Sequence, residues 1–374
     1  MRLVNVSQIE VGAVLAQDVH AGQSGIPLLR RGVGVSERYK QALLENGIGS
    51  VWVDDEMAEG ITPVTIMTEE TRRQTAGAVG NALVEAKDAM SKGKGLSDNA
   101  LADLAEMAEL ITQEVQNTPD CALHLADMMG ADQYLLQHVV DVTALGVLLA
   151  RRTFHDHGWV DFTGRRRFDG VEGRLQKIGL GLLLHDIGKL AVPKEVLDKP
   201  GKLTEEEWEI MRKHPVVGSD MLGEDASFLV RAVVRHHHER LDGKGYPDGL
   251  AGDRIHQFAR ISSVADVYDA VTSERVYKAA APPSVGVDVI EQGSGTAFDP
   301  EVVAVFKKVV MPYPPGYEVD LVDGRRGVVI EVDVNDPYRP DVRIKNDDGS
   351  VEEIEKATLL GHEDGGRPGR AEAA

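Results

Sequence analysis

Five histidines fall at helical spacing among apolar residues in the middle of the chain, and this pattern constrains the fold most. They are His138, His185, His214, His237 and His238. An apolar helix face is normally buried, and a buried imidazole needs a polar partner. One such histidine is usually a satisfied core residue. Five in one stretch indicate a metal centre, because neutral imidazole is the commonest metal ligand in proteins.

Two aspartates extend this set. Asp186 directly follows His185, and Asp266 lies among small helical neighbours that allow close approach to an ion. Mixed His/Asp ligation without cysteine favours a catalytic site for Fe, Mn, Ni, Zn or Mg over structural zinc. These seven side chains exceed what one ion needs, and two ions about 3.5–4 Å apart can clamp an in-line phosphoryl displacement. The sequence therefore predicts a two-metal centre.

The bulk properties exclude several classes of protein. A length of 374 residues indicates more than one domain. The formal charge of −20 argues against DNA binding and requires any phosphate site to be locally positive. The single cysteine, Cys121, is interpreted as a small buried residue and forms no intramolecular disulfide. No apolar run is long enough to cross a bilayer and no signal peptide is evident, so we expect a cytoplasmic protein without a membrane anchor.

Composition divides the chain into five segments, and the expected fold is multidomain and mainly α. Residues 1–60 read as a small α+β regulatory or docking domain, in which Ser36 caps a helix that ends near Gly47. Residues 61–118 read as a solvated helical connector compatible with a homodimer. The histidine-bearing helices fill 119–310, a small β domain follows at 311–362, and 363–374 are expected to be disordered.

Several motifs match a known family in order and approximate spacing. They are His185-Asp-Ile-Gly-Lys189, His214-Pro215, His237-His238-Glu239 with the loop Asp242-Gly-Lys-Gly-Tyr246-Pro247, Asp266-Val-Tyr-Asp269, and Arg275-Val-Tyr-Lys278. Over roughly residues 130–308 the chain resembles HD-GYP domains, and residues 1–60 resemble a domain of unknown function often found ahead of them. The resemblance implies an all-helical catalytic domain that hydrolyses cyclic di-GMP at a two- or three-metal centre.

The resemblance also assigns roles. It makes the seven side chains metal ligands, Asp186 and Lys189 catalytic, and Lys189, Tyr246, Arg275 and Lys278 contacts to the nucleotide. The residues agree: Lys189 lies one helical turn after His185, and Arg275 and Lys278 share one helix face. Tyr246 sits in a Gly-rich turn from which it can stack on guanine. Glu239, Asp242 and Asp269 are candidates for orienting the imidazoles.

Three positions depart from the family pattern. Tyr134 stands four residues before His138, where three-metal members carry a glutamate, so two metals are favoured. The stretch Thr163–Gly173 is an insertion, interpreted equally as a lid over the substrate or as a tolerated surface loop. His256 stands where proline is common, and a surface histidine is the default interpretation.

The expected reaction is attack of a metal-bridging hydroxide on phosphorus, which gives the linear dinucleotide pGpG. A second cut to GMP is left open, and Fe or Mn are the expected ions. Two alternatives remain: an HD-type phosphohydrolase that acts on another nucleotide, and a non-catalytic cyclic di-GMP sensor. The intact ligand set argues against the sensor.

Overall fold

The computed structural model describes residues 1–20, 27–63, 65–117, 134–223, 226–273 and 281–361, with only the backbone at 134 and 135. Within these residues the fold is mainly helical, with several small β-sheets, as predicted. Cys121, Arg275, Lys278 and the tail from 362 onward lie outside the described residues, as does the side chain of Tyr134. No described helix is both long enough and apolar enough to cross a membrane.

The N-terminal domain is built on a three-stranded antiparallel sheet of order β1-β5-β2, with a separate β3–β4 pair. Its elements are β1 (Arg2–Asn5), β2 (Val14–Leu15), β3 (Val19–His20), β4 (Pro27–Leu29), α1 (Glu37–Glu45) and β5 (Ser50–Asp54). The side chain of Ser36 accepts the Tyr39 N–H and so caps α1. Gly47 follows α1 with a φ of 71°, the left-handed conformation expected after a helix. Both predicted helix boundaries are confirmed.

The next two helices belong to the central core. Helices α2 (Glu69–Ser91) and α3 (Asp98–Asn117) bury alanine-rich and aliphatic faces, including Val79, Ala86 and Leu104, in one cluster with the histidine-bearing helices. Small alanine side chains let α2 and α3 pack closely. The expectation of a solvated connector is therefore wrong, although a homodimer through their outer faces stays a prediction.

The central helices surround the predicted ligands. They are α4 (Tyr134–His157), α5 (Val171–Leu184), α6 (Lys194–Leu197), α7 (Glu205–Met211), α8 (His214–Met221), α9 (Phe228–His236), α10 (Gln257–Thr272), α11 (Pro283–Gln292) and α12 (Pro300–Val309). The Thr204-Glu-Glu-Glu207 sequence forms a capping box at the start of α7, with reciprocal Thr204 and Glu207 bonds. Helix α7 ends at Met211, and a separate helix begins at His214. Pro215 stands in the first turn of α8 and prevents α7 from continuing.

The segment 158–170 follows α4, at the end of that helix opposite to His138. Strands β6 (Trp159–Val160) and β7 (Arg166–Arg167) form a hairpin that follows α4 directly. The central domain, expected to be all-helical, therefore contains a short β-hairpin. The Gln257 side chain holds the hairpin through Gly158 O and Val160 N. His138 and His157 are separated by about 28 Å along α4 at 1.5 Å per residue. The lid interpretation is therefore wrong, and the segment is a surface insertion.

The C-terminal domain is a four-stranded antiparallel sheet of order β11-β10-β9-β8. Its strands are β8 (Glu318–Asp320), β9 (Arg326–Glu331), β10 (Asp341–Lys345) and β11 (Val351–Ile354). Gly324 and Gly349 each follow an aspartate in a turn and have positive φ, a conformation that glycine adopts readily. This sheet contacts the N-terminal domain: Leu3 N donates to Gly316 O at 2.8 Å, and the Arg2 guanidinium bonds Glu318 at 2.5 Å. The N-terminal and C-terminal domains thus pack together.

Candidate metal centre

The seven predicted ligands meet at one place although they come from several elements. His138 lies near the start of α4, His185 and Asp186 follow α5, His214 opens α8, His237 and His238 follow α9, and Asp266 lies on α10. All are buried except His238, whose side chain is 23% exposed. Gly188 makes this convergence possible, because a β-carbon there would lie 1.9 Å from the His214 carbonyl oxygen.

One group of donors consists of His138, His185 and Asp186, whose ligand atoms all lie within 4.8 Å of one another. Asp186 Oδ2 is 3.6 Å from His138 Nε2 and 3.4 Å from His185 Nε2. Asp266 adds a second carboxylate, with Oδ1 3.3 Å from His138 Nε2. Two imidazole nitrogens and two carboxylate oxygens therefore surround one small volume.

A second group consists of three imidazoles, His214, His237 and His238, within the same 4.8 Å limit. His214 Nε2 and His237 Nε2 are 3.3 Å apart. Asp186 joins the two groups, because its Oδ1 is 3.4 Å from His214 Nε2 while its Oδ2 faces the first group. Asp266 Oδ2 likewise lies 3.7 Å from His238 Nδ1. A carboxylate between two groups of imidazoles is the arrangement that two neighbouring cations require.

Backbone carbonyls fix the tautomer of three of these histidines. His185 Nδ1 donates to Leu182 O at 2.7 Å, His214 Nδ1 to Met211 O at 2.8 Å, and His237 Nδ1 to Val234 O at 3.1 Å. A carbonyl oxygen can only accept, so each Nδ1 carries the proton. In the neutral ring, Nε2 then presents a free lone pair toward the centre, as metal ligation requires.

His138 is oriented by a carboxylate instead. Asp269 Oδ2 is 2.6 Å from His138 Nδ1, and Ser273 Oγ donates to the other oxygen of Asp269 at 2.9 Å. The structure places Asp269 where the sequence predicted an imidazole-orienting group. Ser273 was missed, and the signal available was its position one helical turn after Asp269.

The protonation states suit cation binding. Burial lowers the pKa of His214 to about 4 and of His238 to about 3, so both rings are neutral at pH 7. Burial opposes ionisation of Asp186, but Lys189 and the surrounding histidines hold its pKa well below the ordinary value. Burial also disfavours charge on His138, yet Asp186, Asp266 and Asp269 together raise its pKa well above normal. Three buried carboxylates, those of Asp186, Asp266 and Asp269, thus lie around His138, and a bound cation would be stabilised there.

The hydrogen bonding of the buried atoms supports the same conclusion. Among the described residues, His185 Nε2 and Asp186 Oδ1 are buried without a hydrogen-bond partner. A buried polar atom left unsatisfied costs about 1–3 kcal/mol. Divalent ions held by the seven side chains would satisfy both atoms, so the donor set fits a metal centre.

The chain is similar to characterised proteins over this region and beyond it. Residues 168–302 match the HD domain family model. The cyclic di-GMP phosphodiesterase PA4108 of Pseudomonas aeruginosa is 32% identical over 368 residues, which cover 92% of this chain and 85% of that protein. This chain belongs to the HD-GYP family.

Two further relatives match part of the chain. The 3'3'-cGAMP-specific phosphodiesterase 3 of Vibrio cholerae is 35% identical over 215 residues, covering 55% of this chain and 45% of the relative. The cyclic di-GMP phosphodiesterase response regulator RpfG of Xanthomonas campestris is 42% identical over 135 residues, covering 35% and 36% respectively. Both matches are shorter than the first and concentrate the similarity on part of the chain.

Lys189 lies at the edge of the HD-GYP centre. Its Nζ donates to Asp186 Oδ2 at 2.6 Å, and the side chain is 23% exposed. The short helical turn 187–191 after the His-Asp pair carries it, so Lys189 and Asp186 are linked by local geometry. The ammonium is therefore a positive charge beside the centre on a strongly acidic chain.

The Gly-Tyr-Pro loop is held against the centre by its aromatic ring and by its backbone. Tyr246 stacks on His238 with ring centroids 4.7 Å apart. Glu239 accepts the backbone N–H groups of Asp248 at 2.7 Å and Leu250 at 3.0 Å. Asp248 in turn pairs with Arg235 at 2.7 Å. The Glu239 carboxylate thus orders the loop rather than an imidazole, a role that the sequence prediction missed.

Two other predicted positions have local roles. Asp242 accepts from Arg240 Nε and from the Lys244 backbone N–H, which shapes the turn before Tyr246. His256 is not a plain surface residue: its Nδ1 accepts the Phe258 N–H at 3.1 Å and caps α10. Proline cannot make that bond through its side chain, which gives a physical reason for histidine here.

Substituting Glu239→Gln should loosen the loop without removing a ligand. An amide offers one acceptor oxygen in place of two, so one of the two loop N–H groups loses its partner. We expect KM for the nucleotide to rise about 10-fold, as a lost buried bond of 1–3 kcal/mol implies, with metal content unchanged. Steady-state kinetics and elemental analysis measure both quantities. The exposed Glu45→Gln variant is the control, and unchanged KM in Glu239→Gln would contradict this role.

Proposed function

We propose that this protein is a metal-dependent phosphodiesterase that hydrolyses cyclic di-GMP to the linear dinucleotide pGpG. The observation that carries the proposal is Asp186, whose two oxygens face separate groups of imidazoles. A buried carboxylate shared in this way supports two ions rather than one. The family supports phosphodiester chemistry, and the name of the Pseudomonas aeruginosa relative supports cyclic di-GMP as the substrate.

The residues divide into two sites. His138, His185, Asp186 and Asp266 would hold one ion, and His214, His237, His238 and the shared carboxylates would hold the other. Fe or Mn are the proposed ions, and Ni, Zn and Mg are compatible with the same donors. When bound, such ions supply Lewis-acid stabilisation of phosphoryl oxygens and an activated water.

The chain itself supplies a positive charge, holds the donor side chains in orientation and buries most of them away from water. The reaction adds water across one ester: an oxygen–phosphorus bond forms, the bond from phosphorus to the ribose 3′ oxygen breaks, and that oxygen takes up a proton. Lys189 is close enough to the centre to donate to a non-bridging phosphate oxygen, where it would offset developing negative charge. The carbonyl bonds to His185 and His214 keep the donors oriented throughout.

The test is hydrolysis of cyclic di-GMP by protein purified without oxygen and loaded with Fe or Mn. We expect loss of the cyclic dinucleotide, appearance of pGpG and about two ions per chain. Ion-exchange chromatography separates pGpG from GMP and shows whether a second cut occurs. A chain that binds metal but leaves cyclic di-GMP intact would overturn the substrate, and 3'3'-cGAMP and linear nucleotides are then the next candidates, given the name of the Vibrio cholerae relative.

A non-catalytic sensor is the second candidate, and it predicts a different result. A sensor would bind cyclic di-GMP and release it unchanged even when fully loaded with metal. All seven predicted ligand side chains lie together at the centre. This argues against a sensor, because a sensor has no need of two cations. Recovery of intact cyclic di-GMP from a saturated, metal-loaded sample would favour the sensor.

A further inference from the structure

Arg212 lies close to the candidate metal centre and near two aromatic side chains. It follows α7 directly and precedes His214 by two residues. Its guanidinium carbon is 5.9 Å from the ring centroid of Trp208 and 5.9 Å from that of Tyr246. These distances are within the range of cation–π attraction. The guanidinium therefore lies near two aromatic rings, one of which stacks on a candidate ligand, His238.

The side chain is available to a ligand. Arg212 is 48% exposed, and its ion pair is with Glu209, whose side chain is 67% exposed. Ion pairs between exposed side chains contribute little to stability. The guanidinium can therefore be redirected to a ligand at small cost, and Trp208, 40% exposed, offers an apolar surface beside it.

The position favours a base over a phosphate. The scissile phosphate belongs at the metal donors, where Lys189 already supplies a cation next to Asp186. Arg212 instead lies near the ring of Tyr246, and that ring also stacks on His238. Aromatic surfaces bind the flat faces of bases, and a guanidinium donates in the plane to acceptors on their edges. Guanine presents two adjacent acceptors, O6 and N7, whereas adenine presents a donor in place of O6.

We propose that Arg212 is a specificity-determining residue that donates two of its guanidinium N–H groups to the O6/N7 edge of a substrate guanine beside Tyr246 and Trp208. This inference deepens the proposed function and rests on it for the identity of the nucleotide. It predicts discrimination between guanine and adenine at a site next to the metal donors.

The experiment measures base preference directly. GMP and AMP differ only in the base, so calorimetric titration of each into the metal-loaded full chain gives the preference without turnover. We expect the wild type to bind GMP more tightly than AMP, and Arg212→Met to weaken GMP about 10-fold or more while AMP changes less than about 2-fold. The KM for cyclic di-GMP should rise by a similar factor.

Two variants sharpen the result. Arg212→Lys keeps the charge but lacks the planar pair of donors, so it should recover little of the GMP preference. Arg325→Met removes an arginine of similar exposure that pairs with Asp323 in the C-terminal sheet, and it should leave both affinities unchanged. Full recovery of the preference in Arg212→Lys would overturn bidentate recognition.

The remaining outcomes separate this inference from the proposed function. Equal weakening of GMP and AMP by Arg212→Met, or a wild type without preference, would overturn the inference even if cyclic di-GMP is hydrolysed. If cyclic di-GMP survives while the GMP preference collapses in Arg212→Met, the inference holds and the proposed activity fails.

Discussion

Replacing Asp186 with alanine is expected to abolish both metal binding and turnover. Its two oxygens face both groups of imidazoles, and the side chain is 3% exposed. In the proposed centre this change would take one donor from each of two ions, so we expect cyclic di-GMP hydrolysis to fall by at least about 1,000-fold, the scale of losing a major electrostatic stabiliser. Elemental analysis should show fewer than one ion per chain.

The control for this prediction is Asp198→Ala. Asp198 is an exposed aspartate near the end of α6 that pairs with Lys194 at 3.9 Å. That variant should keep both metal and activity. Retention of about two ions and near-normal turnover in Asp186→Ala would show that the two groups of histidines do not depend on this carboxylate, which would remove the main support for the proposed centre.

Replacing Arg72 with methionine is expected to destabilise the fold by about 3–5 kcal/mol. The Arg72 guanidinium on α2 pairs with Asp141 on α4, one turn after His138, and Gln137 donates to the other Asp141 oxygen at 2.7 Å. The Asp141 side chain is 2% exposed. Breaking a buried pair on one side leaves an uncompensated charge, which accounts for the magnitude. Chemical denaturation of the metal-free protein at pH 9, where the Asp141 carboxylate of the native protein is ionised, measures the loss.

The pH dependence of that loss tests the charge explanation. Burial raises the pKa of Asp141 to about 6 despite the neighbouring Arg72. Because this folded-state pKa lies above the ordinary value, the native protein holds the extra proton below pH 6 and Asp141 is then neutral. A neutral carboxyl needs no cation, so the penalty in Arg72→Met should shrink as pH falls from 9 toward 5.

The neighbouring residue supplies the control for this second prediction. Arg73→Met removes an exposed arginine that pairs with Glu70, and it should cost little at any pH. A pH-independent penalty in Arg72→Met would instead point to lost packing of its aliphatic stem.

The local features of this protein were predictable because each is set by a few neighbouring residues. The cap at Ser36, the capping box at Thr204 and the turn glycines follow from the hydrogen bonding and φ angles of adjacent residues. The histidine and aspartate set was predictable for a related reason. A buried imidazole is costly enough that several at helical spacing indicate a common partner.

Prediction from the sequence was wrong or undecided where one pattern is compatible with two different structures. Alanine-rich helices suit both a solvated connector and a tightly packed core, and only the contacts of Val79 and Leu104 with the central cluster decide between them. A basic insertion suits both a lid and a surface loop. Its position at the opposite end of α4 from His138 settles that question, because helix length fixes the separation.

Residue type and short-range spacing were enough to indicate the His/Asp set, the helix caps and the turns. The tertiary structure alone decided which atoms face one another. It placed Asp186 between two groups of imidazoles, brought Arg212 to the rings of Trp208 and Tyr246, and joined Arg2 to Glu318. The residues in such pairs are distant in the chain, or their contact depends on side-chain direction. They meet only because packing of the whole core outweighs the conformational entropy that the chain loses on folding.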